Sequence, residues 1–188
     1  QDVDGAEKAY RVAIEADPGY AQAHCNLGGL LQIERQDVDG AEKAYRAAIE
    51  ADPGHAEAHT NLGVLLEKER KDVDGAEKAY RTAIEADPGL AIAHNNLGHL
   101  LEHERQDVDG AEKAYRAAVE ADPGYARAHN NLGILLRTER QDVDGAEKAY
   151  RAAIEADPRY AKAHNNLGVL LEEERKDVDG AEKAYRTA

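Results

Sequence analysis

The side chains most capable of chemistry in this chain sit at a few places, each of which has a simpler reading beside it. His99-Leu100-Leu101-Glu102-His103 puts two imidazoles four residues apart. On a helix they share one face, with the spacing of an inverted zinc-hydrolase motif. Such a site also needs a third ligand and an arranged cavity, and Glu102 merely repeats Glu67 and Glu172. Asp-Val-Asp-Gly, as at 37–40, opens like a calcium loop, but no ligand pattern continues it and no Glu closes it at the twelfth position. Helix capping accounts for it. Cys25 follows His24, but that histidine falls on the buried stripe of its helix, and with no Lys close in sequence to lower its pKa Cys25 reads as a free thiol. No nucleophile, base and orienting group share a workable spacing. The chain is therefore not expected to be an enzyme, and no metal site or cofactor is expected.

The elements that must position these residues belong to a 35-residue unit. It starts at 1, 36, 71, 106 and 141, with a partial copy from 176, so residues 1–188 read as one repeat array. A fixed period of this length marks a solenoid, whose units bury their apolar faces only by stacking on neighbours. In the second copy Ala41, Ala44, Tyr45, Ala48 and Ile49 form one stripe of an amphipathic helix. Asp39 followed by Glu42 predicts the N-cap and its reciprocal partner, Glu42 and Arg46 an i,i+4 pair, and Asp52-Pro53-Gly54 the stop. The other helix is predicted over 55–70, with His59, Leu62, Gly63, Leu65 and Leu66 on its buried stripe. Gly63 and its counterparts predict close approach by a partner helix, and the five histidines at the position of His59 should be packed and hydrogen-bonded. No strand pattern occurs. The fold class expected is all-α, a solenoid of antiparallel helix pairs.

Composition limits partners more than it names them. The net charge is −14, but each unit carries six invariant acids against three invariant bases, so the acidity belongs to the scaffold and the varying positions are nearly neutral. Nucleic-acid binding is disfavoured. No apolar run approaches 18 residues, so no membrane span is expected. A single cysteine fits a reducing, cytoplasmic compartment. With Gln1 first and no Met anywhere, the sequence reads as a fragment lacking its native N-terminus.

His59, Leu62, Gly63 and Leu66, followed by Ala76, Tyr80, Ala83 and Pro88, resemble the signature of the tetratricopeptide repeat family, and the match recurs along the whole chain. It departs in three ways. The unit has 35 residues instead of 34, with the extra one near 69–72; the usual Gly of that turn is missing; and His stands where Trp or Tyr is common. The resemblance implies a right-handed superhelix whose first helices line a concave, peptide-binding groove.

Differences between copies concentrate at Gln22, Cys25, Gly29, Gln32 and Ile33 and their counterparts, with steps of 3 and 4 to the third position and the last two lying 3 and 4 beyond it. That spacing defines one helix face, and by resemblance it coincides with the family's ligand-contacting positions. Drift on an exposed face is the other reading, but the exposed faces of the second helices barely change. The candidate groove residues are Arg127, Asn130, Lys162, Asn165, Asn95, His99, His103 and Asn131. Arg127 beside Lys162 gives a cationic spot, Asn95, Asn130 and Asn165 an amide ladder for an extended backbone, and Arg137 should face Glu172. Asn61, Asn96, Asn131 and Lys162 match parts of the family's carboxylate clamp, while Thr60, Val64 and Ile134 break it. A protein or peptide ligand in the groove is the leading reading. Head-to-tail self-association, or a consensus-like array with no ligand of its own, are the alternatives.

Overall fold

In the computed structural model, which describes residues 2–186, the chain divides into two compact units, Gln1–Pro88 and Gly89–Ala188. The first holds α1 (Val3–Ala16), α2 (Ala21–Ile33), α3 (Val38–Ala51), α4 (Ala56–Leu65) and α5 (Val73–Ala86). The second holds α6 (Ala91–His103), α7 (Val108–Ala121), α8 (Ala126–Thr138), α9 (Val143–Ala156), α10 (Ala161–Leu170) and α11 (Val178–Arg186). Among the described residues no strand occurs.

The cap of the odd-numbered helices corrects the sequence expectation. The N-cap of α3 is Asp37, not Asp39: its carboxylate accepts from the Gly40 N–H at 2.9 Å. The geometry needs a glycine, because a Cβ at position 40 would lie 2.2 Å from Asp37 Oδ2. Glu42, expected as the reciprocal capping partner, instead accepts from Arg46 at 2.8 Å and from Arg70 at 2.8 Å. At the far end Asp52 is extended, as the residue before a proline should be. Its carboxylate accepts from the Gly54 N–H at 3.0 Å and closes the turn.

Within each pair the helices interlock through glycine and tyrosine. A Cβ on Gly133 would fall 2.6 Å from Cε1 of Tyr150, so the glycine is the slot that admits the ring. Gly63 does the same for Tyr80, and Gly98 for Tyr115. The predicted close approach is thus by an aromatic ring of the partner helix. Tyr45, Tyr80, Tyr115 and Tyr150 are among the largest fully buried side chains. Burial pushes the Tyr45 phenol up to about 12.

The repeated histidines are hydrogen-bonded as expected, and most are half-buried, with His164 buried. His59 Nε2 lies 3.0 Å from the Pro53 carbonyl, and His129 Nε2 2.9 Å from that of Pro123. A carbonyl only accepts, so the imidazole N–H donates and ties each helix to the turn before it.

The extra residue of the 35-residue unit is absorbed where the even-numbered helices end. The Arg35 N–H reaches back five residues to the Leu30 carbonyl, and the Asp37 N–H six residues to that of Leu31. After α4 and α10 the same widening forms full π turns, Leu66–Arg70 and Leu171–Arg175. Where the family's usual glycine is missing, Gln36, Lys71, Gln106, Gln141 and Lys176 take the left-handed conformation themselves, with φ of 55–58°.

Candidate functional site

In the second unit α8 packs between α6 and α10. Together they frame a depression of about 760 Å³. Six of the eight residues singled out in the sequence line it: His99, Arg127, Asn130, Asn131, Lys162 and Asn165. Asn95 and His103 do not.

The depth of these side chains differs sharply. Arg127, Lys162 and Asn165 are exposed, and Asn131 and His99 are half-buried. Asn95 and Asn130 are each only 2% exposed. The expected ladder of Asn95, Asn130 and Asn165 facing a ligand therefore does not form. Instead, the Asn131 amide donates to Asn95 Oδ1 at 3.0 Å, and the Asn166 amide to Asn130 Oδ1 at 2.9 Å. Each bond joins positions 36 apart, not 35. Two equivalent helices lying side by side meet through opposite flanks, and consecutive residues, about 100° apart around a helix, supply those flanks. The same offset corrects a second expectation: Arg137 pairs with Glu173 at 2.7 Å, not with Glu172. Glu172 accepts from the Tyr185 hydroxyl at 2.9 Å.

Arg127 and Lys162 occupy the first turns of α8 and α10, neither of which has an acid in that turn or a side-chain cap. The Arg127 guanidinium lies near enough to the Tyr125 phenol to offset part of the rise in its pKa that burial causes. Among the described residues neither cation is held in an ion pair. Uncapped helix N-termini carry partial positive charge, so this end of the depression is electropositive despite the acidic scaffold.

His99 and His103 stack, with ring centroids 4.3 Å apart and planes 16° from parallel. His103 Nδ1 lies 3.1 Å from the His99 backbone carbonyl and is committed there as a donor. The pair packs ring against ring.

Tyr160, Ala161, Ile134 and Asn166 complete the lining. Tyr160 was absent from the sequence-derived set. Its signal was present: the position after each Asp-Pro-Gly or Asp-Pro-Arg turn reads Tyr20, His55, Leu90, Tyr125 and Tyr160, a sixth varying position two residues before the first of the others.

The sequence matches the tetratricopeptide repeat profile over residues 26–91, 69–126, 100–140 and 135–188. A comparison with curated proteins returns no significant match. Solved structures with the same fold include MamA, at 24% identity and a TM-score of 0.70, covering 86% of this chain and 91% of that one. Another is YrrB, described as a TPR protein with an unusual peptide-binding site, at 23% identity and a TM-score of 0.69, covering 96% of this chain and 91% of that one. A third is pilF of Pseudomonas aeruginosa, at 24% identity and a TM-score of 0.73, covering 100% of this chain and 77% of that one.

Proposed function

Because the chain belongs to the tetratricopeptide repeat family, we propose that it is a non-catalytic interaction scaffold whose second unit binds an extended peptide bearing carboxylates. The observation that carries this reading is the exposed trio Arg127, Lys162 and Asn165 on one depression, with both cations outside any ion pair among the described residues. Two long cations left unpaired on an otherwise acid-rich chain are poised for an anionic partner. Asn165 and Asn131 offer amide groups that can pair with a peptide backbone, since an amide NH2 engaged once still has a second hydrogen. Tyr160 supplies an apolar wall with a polar tip at the same end. Asn130 supports the site from beneath by accepting from Asn166 and is a poor contact itself.

A peptide-display selection tests the proposal, run on the parent chain and on a variant with Arg127→Ala, Lys162→Ala and Asn165→Ala. All three are exposed, so the variant should stay folded. The expected result is a common Asp- or Glu-containing motif, or a free C-terminus, enriched on the parent and lost on the variant. Enrichment that persists on the variant, or a motif without acidic groups, overturns the assignment.

A further inference from the structure

In an array this uniform, residues found in only one copy stand out, and several of them converge in the first unit. Cys25 replaces the Thr60, Asn95, Asn130 and Asn165 of other copies. His55 replaces Tyr20, Leu90, Tyr125 and Tyr160, and Glu57 replaces Gln22, Ile92, Arg127 and Lys162. The three come from two different copies, yet Cys25 and the start of α4 meet across the α2–α4 packing. A ligating atom from each lies within 4.8 Å of the other two, and among the described residues no other trio of His, Cys, Asp or Glu does this. A fourth departure, Gly29, stands where other copies have Val64, His99, Ile134 and Val169. It lines the same depression of about 550 Å³ as Cys25, Glu57 and Asn61 and leaves the approach open.

We infer that Cys25, His55 and Glu57 form a three-ligand site for a divalent cation of the zinc class. Thiolate, imidazole and carboxylate together suit Zn²⁺, and three protein ligands leave the fourth tetrahedral position open. Bond lengths in such sites place donor atoms about 3.3–3.8 Å apart. With separations of no more than 4.8 Å the trio needs to close by at most about 1.5 Å, within reach of rotamer changes at half-buried His55 and exposed Glu57. Buried Cys25 stays fixed. Asn61 already donates to Cys25 Sγ at 3.6 Å, the kind of outer hydrogen bond that orients a ligating thiolate.

Two costs accompany binding. Burial pushes the Cys25 thiol up, partly offset by the Asn61 donor, so the thiol gives its proton to solvent as the metal arrives and affinity rises with pH. His55 Nδ1 accepts from the Ala58 N–H at 3.3 Å, and coordination gives up this long cap, either by using that lone pair or by moving the ring proton onto Nδ1. The loss is tolerable because α2, α6, α8 and α10 all begin with no side-chain cap.

Titration of the full chain with Co²⁺ tests the site through the thiolate-to-cobalt charge-transfer band. It is run beside Cys25→Asn, His55→Tyr and Glu57→Gln, the first two restoring residues that other copies carry at those positions. A His99→Ala/His103→Ala variant controls for the exposed histidine pair. The expected result is a band saturating at one equivalent, discharged by Zn²⁺, unchanged in the double-histidine variant and lost or at least 10-fold weaker in affinity in each of the other three. No band on the parent overturns the inference. So does a band that survives unchanged in His55→Tyr or Glu57→Gln, which would mark binding at a lone thiol.

Discussion

Arg70 accounts for why some of the most charged positions of the unit never change. Its guanidinium reaches back to Asp39 and Glu42 at the start of α3, and Glu42 is held from the other side by Arg46. Arg35, Arg140 and Arg175 repeat the bracket on Asp4 and Glu7, Asp109 and Glu112, and Asp144 and Glu147. Arg70 holds the Asp39 carboxyl below its ordinary range, and Arg175 does so for Asp144. Glu42 is lowered by Arg46 and Arg70 against the opposing effect of burial. A carboxylate whose pKa is depressed on folding stabilises the fold fully above its unfolded pKa of about 4, and that contribution is lost as pH falls through the folded value. The melting temperature is expected to fall on acidification below about pH 4.5. The fall should be smaller in a variant with Arg35, Arg70, Arg140 and Arg175 changed to Gln. Equal acid slopes in thermal scans would remove these brackets as a source of stability. Exposed pairs of this kind are individually weak; their weight lies in repetition.

The ends of the even-numbered helices show how an element absorbs a residue that its pattern does not need. The widened last turn and a left-handed residue let the chain reach the next Asp cap without breaking the hydrogen-bond chain. Holding a side chain in that conformation costs roughly 1–2 kcal/mol. Glycine removes this cost but adds about 0.4–1 kcal/mol of chain entropy in the unfolded state. Gln141→Gly is therefore expected to stabilise the protein by about 0.5–1 kcal/mol in urea unfolding. Gln141→Val should destabilise it, because a β-branched side chain tolerates positive φ least. A destabilising Gln141→Gly would mean that the glutamine makes a compensating contact.

At the scale of the molecule, the worth of a repeated residue depends on what stacks beyond it. Tyr150 is 1% exposed, whereas Tyr185, its equivalent in α11, is 38% exposed. Repeat arrays derive stability from each unit and its nearest neighbours. Tyr150→Ala should thus cost about 3–5 kcal/mol, as large buried aromatics do, and Tyr185→Ala no more than about 1 kcal/mol. Comparable losses in urea titrations would show that α11 is as tightly held as the interior helices.

Periodicity alone determined the helix pairs, the Asp-Pro stops, the buried Leu, Ala and Tyr stripes and the glycine slots, because these follow from local spacing and steric rules that each 35-residue copy repeats. The set of varying positions was legible for the same reason, and six of the eight candidates drawn from the sequence line one depression. Which flank of each helix faces its neighbour was not legible. That depends on how equivalent helices pack side by side, and it buried Asn95 and Asn130 and gave Arg137 to Glu173. Asp37 displaced Asp39 as cap because the carboxylate, the glycine and the arginine bracket are satisfied together only in three dimensions. The meeting of Cys25 with His55 and Glu57 likewise belongs to tertiary structure. Residues some 30 apart in sequence share a site only once one helix has packed against the next.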